Sequence, residues 1–563
     1  MKHQILNRLI LAACGGAVAA AHGQPSIVSL GMGVSDISAD GNTIAGTFYD
    51  ASMPGGYPVC TWTKGVGLRR TTGIQRDGQI RFSDDGDSIS YGDYNYQNLG
   101  NLSYGTPGAY ARTSLTYRWS PASGPVNCGL PANGNRCDFT INTPYDISGN
   151  GRYIVGGGWT NGLCGPFRGF RYDTVTGTYM QLPVTMSPPP ASQASSAVRA
   201  NAVNTDGRVI CGYDQNWDPT LSYTTRRAVV WERNATDTGW ITTILDPFGG
   251  EAYAVSGDGT AVFGQMSSQT MQATFGTSTR NAIRWKKTGS TWVPITLGPA
   301  AGTPTATSAD GDTAIGQDFF WRASYNGGQA VDLTTYFQTL GGDMGGLEIY
   351  TPAGVAPLAL SADGNVAAVR TIDRRDPCLS VFNSALLYFN GTACEQPRVN
   401  LGPVSDTNVV QSPGYYFYGV VLNAFVSGTW PLDYQWQKQD PATGEWVDLV
   451  DDQFCSFYSG PTFDVKASRT SQLRLGFYSG TWEGSYRCVV SNACGSVTTD
   501  VADVSAPFCP ADYNGDGGVD GGDVEVFFSD WEAGEARADV NRDGGIDGGD
   551  VETFFGVWTA GGC

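Results

Sequence analysis

At 563 residues the chain is longer than one ordinary domain and can bury several cores. Its 34 Lys and Arg stand against 53 Asp and Glu, and the formal net charge of −19 disfavours nucleic acid and anionic membranes as partners. Both histidines, His3 and His22, fall within the first 23 residues, so the chain beyond them has no Ser-His-Asp triad, Cys-His pair or histidine-ligated zinc site.

In chain order, Lys2 and Arg8 precede an apolar run from Leu9 to Ala21, and Ala21-His-Gly23 follows before Gln24. That pattern predicts a secretory signal over residues 1–23 and a secreted, extracellular or cell-surface protein. Leu11-Ala-Ala-Cys14 is the rival, a bacterial lipoprotein box that would anchor the chain at Cys14. No other segment reaches the roughly 18 apolar residues of a membrane span. Of 13 cysteines, Cys14 would leave with the signal, and the even remainder fits an oxidising compartment. Local bridges are expected: Cys128 with Cys137, Cys378 with Cys394, Cys488 with Cys494, and Cys509 with Cys563. The pairing of Cys60, Cys164, Cys211 and Cys455 is open, and the absence of Cys-x-x-Cys argues against zinc or redox chemistry.

Residues 24–398 repeat a unit, apolar-Ser-x-Asp-Gly-x-x-apolar. Its glycines are Gly41, Gly86, Gly151, Gly207, Gly259, Gly311 and Gly364, at intervals of 45, 65, 56, 52, 52 and 53 residues. Asp-Gly between apolar runs predicts a two-residue hairpin turn with both residues at positive φ. Most units continue into a strand ending in an aromatic, as in Cys60-Thr-Trp62, Val229-Val-Trp231 and Ile283-Arg-Trp285, and then a fourth strand such as Trp292 to Leu297. Four strands recurring at about 50 residues predict a seven-bladed β-propeller, its last blade completed by the N-terminal strand Ser26 to Leu30. The unit resembles the propeller-like repeats of extracellular bacterial proteins, a resemblance that implies a fold and no activity. Insertions rich in Tyr, Trp, Asn and Asp, Gly92 to Tyr104 and Tyr213 to Tyr223, elaborate one face, where a protein or polysaccharide partner is expected.

From residue 401 to 506 the pattern changes. Tyr434-Gln-Trp436 and, some fifty residues on, Gly484-Ser-Tyr-Arg-Cys488 resemble the immunoglobulin sandwich, with Trp436 as core tryptophan and Tyr486 at the tyrosine corner. Val420, Val421 and Leu422 stand where the partner cysteine of the usual inter-sheet bridge would be. A spacer or adhesion module is implied.

Residues 509–563 carry two Asp-rich loops, Asp512 to Asp523 and Asp539 to Asp550. Oxygen side chains stand at positions 1, 3, 5, 9 and 12, Gly at 6 and an apolar residue at 8. Two calcium ions are the expected cofactors. One would be held by Asp512, Asn514, Asp516, Asp520, Asp523 and the Gly518 carbonyl, the other by Asp539, Asn541, Asp543, Asp547, Asp550 and the Gly545 carbonyl. Each loop precedes a short amphipathic helix, Val524 to Trp531 and Val551 to Trp558. This duplication, with Asp at position 12, resembles the dockerin family, which implies attachment to an extracellular or cell-surface protein. Gly521, Gly522, Gly548 and Gly549 occupy positions 10 and 11, where cohesin-binding dockerins present bulkier residues.

The chain is therefore expected to be mainly β: propeller, immunoglobulin-like sandwich, then a small helical calcium module. The leading functional expectation is a secreted, non-enzymatic, calcium-binding adhesion or attachment protein. The alternatives are a dockerin-bearing glycoside hydrolase, for which Asp93, Asp214 and Asp218 are the candidate carboxylates, and a structural surface-layer component.

Overall fold

The computed structural model describes residues 24–48, 57–75, 77–97, 111–129, 142–159, 167–185, 197–218, 223–277, 281–298, 302–317, 319–350, 359–376, 380–406, 410–412, 415–417, 419–451, 465–476, 484–504, 511–514, 519–541 and 545–559. These are mainly β, and none of their helices is long and apolar enough to cross a membrane.

The repeated turns form as hydrogen-bonded units, by a different route from the expected one. Gly41 is left-handed at φ 72°, whereas Asp40 is not among the non-glycine residues at positive φ, so the turn is not a two-residue one. Gly41 N–H donates to Ser38 O at 2.9 Å and Ser38 N–H to Thr43 O at 2.8 Å, which encloses residues 39–42. The side chains complete it. Ser38 Oγ donates to Asp40 Oδ1 (2.6 Å) and accepts from Thr43 N–H (3.0 Å), while Asp40 Oδ1 also accepts from Asn42 N–H (2.9 Å). The same network recurs at Ser83, Ser148, Ser256, Ser308 and Ser361. In the fourth unit Asn204 substitutes, its Oδ1 accepting from Val209 N–H at 2.9 Å.

Backbone hydrogen bonds join each turn to the next. Ala39 N–H donates to Asp84 O, Asp84 to Gly149, Asn150 to Thr205, Thr205 to Gly257, Asp258 to Ala309, Ala309 to Ala362, and Ala362 back to Ala39, all between 2.8 and 3.1 Å. Behind the turns the aromatic strands bury Trp62, Trp231 and Trp285 at 1% exposure or less.

The sheets correct the expected seven-bladed β-propeller. Among the described residues the strands do not divide into a closed set of seven four-stranded blades followed by a separate sandwich. Their sheets contain nine, eight, five, four, four, four, three and two strands. Units three and four merge where Phe167 pairs in parallel with Ala197. Unit six stops at three strands, because Val331 makes a single bridge to Phe320 and the chain then turns into the helix Leu333–Thr339, capped by Asp332. The N-terminal strand Ser26–Ser29 pairs with Val381–Tyr388, Ser26 opposite Tyr388, but its other edge takes Gly419–Thr429. One nine-stranded sheet therefore runs from the last repeat into the following region.

That region is an immunoglobulin-like sandwich. Arg398–Asp406, Gly419–Thr429 and Gln472–Gly476 form one layer, and Asp433–Gln439, Gly484–Asn492 and Gly495–Thr498 the other. Between them Trp436 is fully buried opposite Cys488, and its Nε1–H donates to Thr470 O at 2.9 Å. Tyr486, Cys488 and Val490 face the core together, as period-two alternation requires.

Three expected disulfides are corrected. Cys494 bonds to Cys394, not Cys488, and the expected pair of Cys378 with Cys394 is excluded because Cys394 is taken by Cys494. Cys488 points inward beside Trp436, whereas Cys494 sits at the hairpin tip Asn492–Gly495, and Asn492 Nδ2 donates to Glu395 O at 2.8 Å, holding that tip against the 394 segment. Cys128 is a buried free thiol packed with Phe170 and Tyr172, not bridged to Cys137. Cys60 and Cys211 are also free and buried. Cys137, Cys164, Cys378, Cys455, Cys509 and Cys563 lie outside the described residues.

Candidate metal centre

The two C-terminal loops run into the helices Gly521–Ala533 and Gly548–Thr559, each longer than its apolar pattern predicts. The extension comes from the loop acids themselves. Asp520, at loop position 9, is the N-cap of the first helix, and its Oδ1 accepts from Gly522 N–H at 2.8 Å. Asp523, at position 12, reaches back to Asp520 N–H (2.8 Å) and across the loop to Asn514 N–H (2.9 Å). The second loop repeats this: Asp547 accepts from Gly549 N–H (2.8 Å), and Asp550 from Asp547 N–H (2.8 Å) and Asn541 N–H (3.1 Å). Asp523 and Asp550 are both 0% exposed. Asp520 and Asp523 together make a capping box at the start of the first helix, with Asp in the place where Glu or Gln is usual.

Pseudo-twofold packing joins the two loop-helix units. Phe527 and Phe554 stack with ring centroids 4.3 Å apart and planes 3° from parallel. Trp531 Nε1–H donates to Asp547 O (3.0 Å), and Trp558 Nε1–H returns the bond to Asp520 O (3.2 Å). Each helix thus fixes position 9 of the other helix's loop.

The paired glycines have separate reasons. A Cβ on Gly522 would lie 3.0 Å from Asn514 Nδ2, and one on Gly549 only 2.8 Å from Asn541 Nδ2. Position 11 is glycine because the side chain at position 3 packs over it. Gly521 and Gly548 would meet nothing within 4 Å, so position 10 leaves bare surface.

Of the expected ligands, Asp516, Gly518 and Asp543 lie outside the described residues. Asp512, Asn514, Asp520 and Asp523, and Asp539, Asn541, Gly545, Asp547 and Asp550, all lie in the two loops. No group of three or more His, Cys, Asp or Glu forms a ready-made metal cluster among the described residues. The donor set is oxygen only, with four carboxylates and an amide within each twelve-residue loop, and its chemistry fits a hard cation such as calcium.

Of the carboxylates considered for hydrolysis, Asp93 and Asp214 lie on strands of different sheets. Asp214 is 2% exposed and accepts from Thr185 N–H at 2.6 Å and from the Thr185 hydroxyl. Asp93 lies on the strand Ile89–Gln97 of a different sheet, and the side chain of Asp218 lies outside the described residues.

Sequence reasoning missed two other acids, Asp36 and Asp146. Asp36 Oδ2 accepts from Phe82 N–H (2.9 Å) and Asp146 Oδ2 from Val203 N–H (2.8 Å), each stapling one repeat to the next. Burial raises both carboxyls above their ordinary value, Asp146 to about 7, against the opposing pull of Arg81. The signal was present as a recurrent Asp-Ile-Ser at 36–38 and 146–148, immediately before the turn.

No protein-family model matches the chain, and no curated protein matches it. Among solved structures, the N-terminal four immunoglobulin domains of Dscam1 isoform 7.44 align at 15% identity over 25% of this chain and 32% of that one, with a TM-score of 0.14. The chain thus spans about a third of that structure. A second Dscam structure, described for isoform specificity, aligns at 11% identity over 50% of this chain and 59% of that one, with a TM-score of 0.14. Immunoglobulin domains 1–5 of Sidekick-1 align at 12% identity over 86% and 99%, again with a TM-score of 0.14. Superpositions this loose carry no functional argument; the sandwich assignment rests on the strand order and core described above.

Proposed function

We propose that the protein is a modular, extracellular, non-enzymatic attachment protein whose C-terminal paired loops bind two calcium ions. The observation that carries this reading is the duplicated loop-helix pair, with its buried position-12 acids and its reciprocal Trp-to-carbonyl bonds. Asp512, Asn514, Asp516, Asp520, Asp523 and the Gly518 carbonyl would hold one ion, and Asp539, Asn541, Asp543, Asp547, Asp550 and the Gly545 carbonyl the other. When bound, calcium supplies positive charge that relieves the repulsion among four carboxylates in each loop. The chain's own part is to hold positions 9 and 12 at the helix starts and to lock the two loops together through Trp531 and Trp558.

The partner in this reading is an extracellular or cell-surface protein that recognises the ordered module. The Cys394–Cys494 bridge supports an oxidising location, since disulfides persist mainly outside the cytosol. The engagement of Asp214 in hydrogen bonds to Thr185 supports binding over hydrolysis.

Calorimetric titration of the calcium-free full-length protein tests the proposal. The expected result is two calcium equivalents bound, reduced to one by either Asp523→Ala or Asp550→Ala. Retention on cell-envelope material should then require calcium and be reversed by a chelator. Absence of calcium binding, or retention indifferent to chelation, would refute it.

A further inference from the structure

A cavity of about 510 Å³ lies at the seam between the first repeat, the last repeat and the sandwich. Arg370, from the strand Val366–Asp373, and Arg474, from Gln472–Gly476, both line it. Among the described residues no carboxylate stands within ion-pair distance of Arg370. Arg474 spends two N–H groups on a neutral acceptor, Gln472 Oε1, at 3.0 and 3.3 Å, and the field of Asp376 favours its charge against the larger opposing effect of burial. Burial disfavours the charged form of both guanidiniums, so two desolvated cations share one cavity without a neutralising partner bonded to either. Such an arrangement holds unspent binding capacity, because a planar guanidinium pairs most strongly with a carboxylate or other oxyanion.

The rest of the wall has a different chemistry. Phe382 is 63% exposed and meets Tyr350 edge to face at 5.1 Å, offering a flat ring to the cavity mouth. Asn423 also lines the cavity. Its Oδ1 accepts from Gln472 Nε2 at 3.0 Å, and its own amide N–H groups make no other bond among the described residues. An exposed aromatic face beside free amide donors suits a sugar ring, whose C–H face stacks and whose hydroxyls accept hydrogen bonds.

We propose that this seam binds an acidic saccharide, its carboxylate or sulfate held by Arg370 and Arg474 and a ring stacked on Phe382. The site is independent of the calcium module, and it occurs only where the two ends of the repeat region meet the sandwich. It therefore needs the continuous sheet that Ser26–Ser29 makes with both neighbours.

The test uses the full-length protein and three short probes: a galacturonate trisaccharide, a sulfated disaccharide from chondroitin sulfate, and neutral galactotriose. Calorimetry is run at low and high salt, with thermal unfolding as a fold control. At least one acidic probe should bind at least about tenfold more tightly than the neutral one, a difference that shrinks as salt screens the arginines. Which acidic probe wins identifies the anion. Arg370→Ala and Arg474→Gln should each lower that affinity by about tenfold or more. Phe382→Ala, at an exposed position that leaves the core intact, should weaken binding of the acidic probe without changing its salt dependence. Equal affinity for acidic and neutral probes, no binding of any probe, or folded arginine variants that bind as the parent does would each overturn the assignment. Calcium binding by the C-terminal loops is read in a separate titration, so failure here leaves that reading standing and the converse also holds.

Discussion

The repeat turns and the C-terminal loops are both built on Asp-Gly, yet they solve the charge of aspartate in opposite ways. In a repeat turn one carboxylate is served by local donors: Asp258 Oδ1 accepts from Ser256 Oγ (2.6 Å) and Thr260 N–H (2.9 Å). In Asp40, Asp310 and Asp363, burial pushes the carboxyl up, but the serine hydroxyl and backbone donors outweigh it and hold the group below the ordinary range. In a C-terminal loop four carboxylates share twelve residues. Backbone N–H groups are assigned there to positions 9 and 12. A turn with one acid is served by its own donors, whereas in the proposed reading a loop with four is neutralised by a bound cation. The serine two residues before the aspartate marks the self-sufficient form.

Calcium removal should produce the largest effect and separates the two forms directly. Hydrogen exchange on the full-length protein in excess chelator is expected to show complete loss of protection over 521–533 and 548–559, with the repeat region unchanged. Protection kept in those helices, or lost equally in the repeats, would erase the distinction.

Much of the local structure was legible in the sequence. The period of the Ser-x-Asp-Gly unit, the buried tryptophan strands, the sandwich core at Trp436 and the two C-terminal helices all follow from local pattern. The sheet boundaries did not, because they depend on which strand edges meet. Nothing near Phe167 signals that it pairs with Ala197, and nothing in Ser26–Ser29 signals that its second edge takes Gly419–Thr429. The Cys394–Cys494 bridge spans 100 residues and is fixed by where a hairpin tip lands, which spacing alone cannot report. The seam arginines belong to strands about a hundred residues apart and become a pair only through that shared sheet.

Asp146 tests a second way of handling a buried acid, by keeping the proton. Its folded value of about 7 lies above the roughly 3.9 of an unfolded aspartate. Between those values the folded chain binds a proton that the unfolded chain has released. The associated stability is fully present below about pH 4 and is lost as pH rises through about 7. Asp146→Asn keeps an acceptor for Val203 N–H and should flatten the pH dependence of denaturant unfolding between about pH 4 and 7. Asp146→Ala, which strands Val203 N–H and Ile147 N–H, is expected to cost about 2–4 kcal/mol at every pH. Parallel pH slopes for the parent and Asp146→Asn would show that the group does not titrate in this range.

The turn serines should show a smaller and ion-independent effect. Ser256 is fully buried, and Ser256→Ala leaves Ala261 N–H without its acceptor, a loss of about 1–2 kcal/mol that is the same with calcium or with chelator. A calcium-dependent loss would mean that the repeat turns also rely on bound ions.

The finest test lies between adjacent glycines of the second loop. Gly548→Ala places its methyl in open space and should stabilise the helix start by about 0.5–1 kcal/mol, leaving calcium affinity unchanged. Gly549→Ala places a methyl 2.8 Å from Asn541 Nδ2, so the asparagine at position 3 must move. The same helix-propensity gain is then opposed by displacement of a proposed ligand, and calcium affinity should fall while the chelated protein is little changed. Calorimetry on the two variants therefore reads whether Asn541 holds the ion or merely packs the loop, because only the first role couples a methyl at 549 to calcium.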